Sequence, residues 1–238
     1  MQVAWVSGAS GDIGLAITKR LLVSGYHVAA LYYQHATHLE KLAGNDRLII
    51  LPIDIRDGEQ IHACYREICW RWREPSICIH AAGHAHTALL QDEDETTYQQ
   101  MMDVHMGGAF RMVRMSLPAM IRNRYGRVIL LSSIWAEVGG AGEVLYSAAK
   151  GAINGFTKAL AKEVAPSKIT VNAIAPGAVE GQMLQNQLST DEQEALKEEI
   201  PLGRMAHPSE IASLVEYLCR PEASYITGQV LRIDGGWI

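Results

Sequence analysis

The sequence predicts an α/β domain built on a doubly wound parallel sheet with helices on both faces. Short, nearly continuous apolar runs recur along the chain, a helical pattern follows most of them, and a glycine-rich turn joins the first run to the first helix. A strand covered on both faces has no polar side to show, so it reads as an unbroken apolar run and not as an alternation. The runs fall at residues 3–6, 28–31, 48–51, 77–79, 128–131, 170–173 and 229–233. Ile13, Ile17, Leu21 and Leu22 recur at helical spacing over 13–24, and Gly25 stops that helix. Residues 35–45 are polar, and Ile61, Cys64, Ile68 and Trp72 mark the buried face of the next helix. The longest helical patterns cover 98–122, with Gly107, Gly108 and Ala109 in the middle, and 147–164. No repeat, low-complexity tract or linker interrupts residues 1–238, which are read as a single domain.

Bulk properties narrow the function classes. Hydrophobic residues make up 48% and charged residues 20%, the balance of a globular chain. The net charge of −5 argues against nucleic-acid binding, which needs a basic surface. Cys64, Cys69, Cys78 and Cys219 form no C-x-x-C and no zinc-type spacing, so reduced packing residues are expected. The first apolar run is too short for a signal-peptide core, and no run approaches the ~18–20 residues of a membrane span. A cytoplasmic location without membrane contact is therefore expected.

The turn after the first run reads Ser7-Gly8-Ala9-Ser10-Gly11-Asp12-Ile13-Gly14 and opens directly into a helix. A helix N-terminus leaves backbone N–H groups unpaired, and glycines let a pyrophosphate approach them. A tight turn can need glycine for its own geometry, but at the first strand of such a sheet the dinucleotide reading is favoured. Dinucleotide sites of this kind carry an acid at the end of the second strand when they take NAD, because a carboxylate binds the ribose 2′-hydroxyl and repels a 2′-phosphate. The chain has Tyr32-Tyr33-Gln34-His35 there, with no acid and no arginine, so NADP(H) is favoured and NAD(H) remains possible.

Tyr146 and Lys150 lie four residues apart, on one face of a predicted helix. A nearby cation stabilises a phenolate and makes the tyrosine a better proton donor to a carbonyl. Alone, such a pair is more often an ordinary helix surface. With Ser133 thirteen residues upstream of Tyr146, just past the fifth strand, it acquires a hydroxyl that can bind the substrate oxygen.

Taken together, these segments resemble the short-chain dehydrogenase/reductase family. Ser7 to Gly14 is similar to its T-G-x-x-x-G-x-G turn, with Asp12 where the family usually has glycine. Ser133 followed by Tyr146-x-x-x-Lys150 resembles its catalytic set, and Asn172 to Gly177 its strand and P-G turn beside the nicotinamide. Pro201 to Arg204, Thr227 to Gln229 and Asp234 to Gly236 resemble its C-terminal signatures, so the likeness spans the chain. The resemblance implies a Rossmann-like fold, a ketoreductase, and a cofactor held by Gly8, Ser10, Gly11, Asp12, Ile13 and Gly14 in the turn. Further along, it implies Tyr33, Asp54 and Ile55 at the adenosine end, and Ala82 and Gly83 after the fourth strand. Pro176, Gly177 and Val179, with Tyr146 and Lys150, would flank the nicotinamide.

Three departures stand out. The family's N-N-A-G reads His80-Ala81-Ala82-Gly83, its active-site asparagine is His105, and the usual threonine after the P-G turn is Gly181. Imidazole both donates and accepts, so His105 is expected to carry the lysine's proton relay as a fourth catalytic residue. His80 replaces a structural asparagine, and His84 and His86 begin a loop with no cysteine or carboxylate beside them, so no metal site is expected.

Among family branches the likeness is to 3-oxoacyl-acyl-carrier-protein reductases, which implies a small-molecule or carrier-bound ketone as substrate. Ser132-Ser133-Ile134-Trp135 and Glu143 to Ser147 are similar to a narrower branch, the elongation factor P 5-aminopentanone reductases, in which Glu143 could pair with an amine. A catalytically weak nucleotide-binding scaffold or sensor is the alternative from another class. Small and apolar residues on the two long helices, Gly107, Gly108, Ala109, Ala152 and Phe156, together with the family's habit, lead to an expected homotetramer.

Overall fold

Each apolar run forms a parallel strand. The computed structural model describes residues 1–238, apart from the side chains of Met183 and Gln187. Strands β1 (Val3–Ser7), β2 (His27–Tyr32), β3 (Leu48–Pro52), β4 (Ile77–His80), β5 (Gly126–Leu131), β6 (Ile169–Pro176) and β7 (Val230–Ile233) make one sheet. Their order is β3-β2-β1-β4-β5-β6-β7, and every neighbouring pair is parallel. The helices are α1 (Asp12–Val23), α2 (Thr37–Glu40), α3 (Gly58–Arg71), α4 (Glu95–Met102), α5 (Gly108–Asn123), α6 (Trp135–Val138) and α7 (Val144–Val164). They are followed by α8 (Gln182–Gln187), α9 (Thr190–Glu199) and α10 (Pro208–Cys219).

Successive strand residues point to opposite faces, so each strand feeds two cores. Trp5, Leu31, Cys78 and Val128 pack with Ile61, Ile68, Met112 and Ile153 of α3, α5 and α7. Val6, Ala30, Ile79 and Ile129 pack on the other face with Ile17, Leu21, Ile211 and Val215 of α1 and α10. Trp5 is fully buried, and its indole N–H donates to Ser116 Oγ at 3.1 Å, which satisfies its polar end.

Three features differ from the sequence reading or go beyond it. Helix α10 was not among the predicted elements, although Pro208 opens it and Glu210 closes a capping box with His207. The predicted helix over 98–122 is α4 and α5 joined by a π-helical turn, Asp103–Gly107. Such an extra residue re-aims side chains and is frequent at functional sites. Helix α7 begins at Val144, which puts Tyr146 in its first turn. Gly108 and Ala109, expected at a subunit interface, are buried in the chain itself, where a Cβ on Gly108 would meet His80 and Ile55. The exposed large apolar residues of this region are instead Tyr98, Phe110 and Ile121.

The strand order reverses between β1 and β4, which run in opposite sequence directions from the sheet centre. The loops leaving their carboxyl ends diverge there and open a crevice, the place where such sheets bind ligands.

Candidate active site

One crevice of about 1310 Å³ opens along the carboxyl edge of the sheet. Small-molecule pockets run to roughly 300–1,000 Å³, so this one is large enough for a dinucleotide and a substrate together. All the cofactor and catalytic candidates named above line it, from Tyr33 at one end to Tyr146 at the other.

The glycine turn is shaped for close approach. Gly8 sits at φ +64°, and a Cβ there would run into the backbone of Ala81 and Ala82. A Cβ on Gly14 would collide with the Gly8 carbonyl, so the turn and α1 touch through bare backbone. Gly11, at the N-cap of α1, offers no side-chain acceptor to the first-turn N–H groups. Together these features make a cradle that fits a pyrophosphate. Under the turn, Ser7 Oγ and His80 Nδ1 are 2.8 Å apart, joining the ends of β1 and β4. His80 thereby takes a structural position that the family gives to asparagine.

At the far end lies a residue that sequence reasoning missed. Arg56 binds both carboxylate oxygens of Asp54, the shortest contact being 2.6 Å, and its Nη2 donates to Tyr33 Oη at 3.4 Å. Its guanidinium lies 5.8 Å from the Tyr33 ring centre. The arginine absent from the end of β2 therefore arrives from just past β3, because the parallel β2–β3 pairing brings those two ends together. The only signal in the sequence was a basic residue two places after Asp54.

The catalytic candidates converge at the ends of β5 and β6. Ser132 Oγ donates to Asn154 Oδ1 at 2.6 Å and ties the end of β5 to α7. Ser133 Oγ accepts the Trp135 N–H at 3.2 Å. Lys150 is buried, and its ammonium donates to the Leu131 carbonyl at 2.8 Å, 5.5 Å from the Tyr146 ring centre. Burial lowers the Lys150 pKa to about 7. Burial likewise raises Tyr146 to about 12, an effect that a hydrogen bond with Ser133 offsets in part and the charge of Glu143 reinforces. The phenol thus keeps its proton throughout the neutral range.

His105 sits in the π-helical turn. Its Nε2 lies 3.0 Å from the His84 carbonyl and 3.3 Å from the His84 N–H, and its ring packs edge-on against Tyr146 at 5.5 Å. Its Nδ1 is buried with no hydrogen-bonding partner among the described protein groups. The geometry therefore shows His105 holding the loop after β4 and walling Tyr146. Gly83 passes directly beneath the ring, where a Cβ would meet it. Burial, and next the charge of Lys150, holds His105 well below the usual histidine range, and the same two causes bring His80 down to about 3.

These histidines give a pH prediction. A histidine kept neutral in the fold protonates first in the unfolded chain, so stability falls as pH drops through the unfolded value near 6.5. His105→Asn removes one such group. Its melting temperature is expected to fall less than that of the native protein between about pH 7 and pH 5. A fall equal to the native one would contradict the neutral, buried assignment.

The remaining histidines are engaged separately. The His84 ring lies tilted by 44° against that of His105, centre to centre 5.6 Å, and His86 Nε2 meets Glu93 at 2.9 Å. At the substrate end Trp135 and Trp237 contact each other edge-to-face at 5.5 Å, and Trp237 is a lining residue the sequence did not disclose. No helix among the described residues is long and apolar enough to cross a membrane.

Comparisons with known proteins agree with this architecture. Residues 8–238 match the family profile described as enoyl-(acyl carrier protein) reductase. The chain is 39% identical to the uncharacterized oxidoreductase YmfI of Bacillus subtilis, over 99% of this chain and 98% of that protein. It is 34% identical to the 3-oxoacyl-[acyl-carrier-protein] reductase FabG of Salmonella typhimurium, over 99% and 96% of the respective chains. Nodulation protein G of a Rhizobium species is 33% identical over 98% of this chain and 95% of its own. With a seven-stranded parallel sheet, a glycine cradle at its switch point and likeness along almost its entire length, the chain belongs to the short-chain dehydrogenase/reductase family, as an NAD(P)-dependent oxidoreductase.

Proposed function

We propose that the chain is a cytoplasmic, NADPH-dependent ketoreductase that converts a 3-oxoacyl group, carried on a thioester, to the secondary alcohol. The observation that carries this reading is a half-buried Tyr146 whose hydroxyl meets Ser133 and whose ring centre lies 5.5 Å from the Lys150 ammonium, all three lining the cofactor crevice. A nicotinamide held in this crevice would supply the hydride to the carbonyl carbon. Tyr146 gives its phenolic proton to the carbonyl oxygen; burial alone holds that proton too tightly, and the Lys150 ammonium 5.5 Å from the ring, with the charge of an oxidised nicotinamide, would bring the phenol back toward a useful acidity. Ser133 donates a hydrogen bond to the same oxygen as negative charge gathers there. Lys150, low enough in pKa to exchange a proton near neutrality, stabilises the phenolate and holds the nicotinamide ribose hydroxyls. His105 acts as a positioning residue that keeps the His84 loop and Tyr146 in register.

The preference for NADPH is supported by Arg56 beside Tyr33, with no acid at the end of β2. Asp54 holds that guanidinium in place, where it would meet a 2′-phosphate. Arg56→Ala is expected to weaken NADPH binding roughly tenfold and NADH binding by less than about twofold, the loss of a charge-assisted hydrogen bond. Calorimetric titration with each cofactor measures it, and an equal loss for both would refute the assignment. The exposed Tyr98, Phe110 and Ile121 support assembly of four identical chains.

One observation favours a second substrate. Among the described lining residues at the substrate end, Glu143, Glu180 and Glu199 are acidic and Lys150 is the sole lysine or arginine. Burial raises the pKa of Glu143, which a substrate cation would relieve. This suits an amino-ketone such as a 5-aminopentanone-modified lysine of elongation factor P. Offering acetoacetyl thioester and that modified protein side by side, with NADPH and with NADH, and following cofactor oxidation, tests both. Turnover of neither substrate with either cofactor would replace the enzyme reading by that of a nucleotide-binding scaffold.

A further inference from the structure

Two departures from the usual family pattern, Asp12 and Gly181, are in contact. Asp12 opens α1 in the glycine turn, and its Oδ2 accepts the backbone N–H of Gln182 at 2.8 Å, 170 positions along the chain. That N–H starts α8 and has no partner within the helix. Gly181, at φ +157° and ψ 177°, lies against the carboxylate so closely that a Cβ there would run into it. With Asp12 in this position residue 181 must be glycine, and with glycine there the segment has no side chain of its own to grip the turn. We propose that Asp12 and Gly181 are a matched pair, in which the Asp12 carboxylate pins the wall of the substrate crevice to the cofactor turn.

The wall in question is α8, α9 and the residues joining them, which line the crevice through Leu184, Leu188, Leu196 and Glu199. Its far end is fixed by a small apolar cluster of Ala178, Ile200 and Met205, against which Leu184, Leu196 and Trp237 pack. Its near end is preceded by the Glu180 N–H bond to the Ala206 carbonyl, 2.9 Å. Neither contact reaches the cofactor side. Among the described residues the Asp12 carboxylate does, through its bond to the Gln182 N–H, and it issues from the turn whose backbone would carry the pyrophosphate. Seating of the cofactor and seating of the substrate wall are therefore mechanically joined. Asp12 acts as a positioning residue, and its effect should fall on ketone affinity.

The test is a mutant cycle read in two ways. A glutamate-specific protease cuts an unpinned wall at Glu192, Glu194, Glu198 or Glu199. Asp12→Ala is expected to speed this cleavage about tenfold, the worth of one hydrogen bond to a charged acceptor, while trypsin cleavage elsewhere stays unchanged. Gly181→Ala, whose methyl group displaces the carboxylate, should do the same. The double variant should be no faster than about twofold beyond Asp12→Ala, because both changes break one contact. Asp12→Asn keeps an acceptor oxygen and should retain the protection. In turnover, Asp12→Ala should raise the ketone KM about tenfold, and Asp12→Asn should restore it. Unchanged cleavage in Asp12→Ala, or single effects that multiply in the double variant, would overturn the pairing. The KM arm rests on the ketoreductase reading. If no ketone is turned over, that reading fails, while proteolysis still decides the pairing by itself.

Discussion

Tyr146→Phe is expected to lower ketone turnover by roughly 10²–10⁴-fold while leaving cofactor affinity nearly unchanged. The substitution keeps the ring, which is half-buried and packs edge-on against His105, and removes only the hydroxyl. Because that hydroxyl is the proton held through neutral pH, nothing remains in place to neutralise the alkoxide as hydride arrives. Ser133 can still donate a hydrogen bond, which is why residual activity above background is expected. Steady-state rates and a cofactor titration on the same preparation make the measurement. A Tyr146→Phe enzyme with full activity would remove the tyrosine from the mechanism.

Lys150→Met is expected to lose at least as much turnover and, unlike the tyrosine variant, to bind cofactor poorly, since the same ammonium is assigned to the ribose hydroxyls. It also carries a signature independent of catalysis. Burial takes Lys150 from 10.5 to about 7, so between those values the unfolded chain holds a proton that the folded chain does not. Native stability therefore rises with pH across that window, by up to about 1.4 kcal/mol per pH unit, and below about pH 7 the contribution is flat. The variant lacks this slope. Its stability relative to the native protein should be greatest near pH 7 and shrink toward pH 10, as read by denaturant unfolding of both proteins without cofactor. A difference independent of pH would mean that the ammonium is not desolvated by the fold.

The sheet was legible because strands such as β1 and β6 are buried on both faces and so leave unbroken apolar runs. The glycine turn was legible for the same kind of reason, since Gly8 and Gly14 stand where a side chain has no room. Helix α10 was overlooked although Ile211, Val215 and Leu218 share a buried face, because no strand run stands directly ahead of it to announce a βα unit. The π-helical turn could not be read at all. One extra residue per turn leaves Met101, His105 and Met112 all buried and the apolar pattern undisturbed. Arg56 and the Asp12–Gly181 contact were hidden for another reason. Each depends on two chain segments meeting in space, by β2–β3 pairing in one case and by the return of the chain over the turn in the other. The role foreseen for His105 was drawn from chemistry the ring can perform, whereas its position is set by the backbone it grips.

That grip ties two positions together. The His105 ring fills the space above Gly83, so residue 83 admits no side chain while imidazole stands at 105. A larger residue at 83 would push the ring off the His84 backbone and loosen the loop that leaves the end of β4.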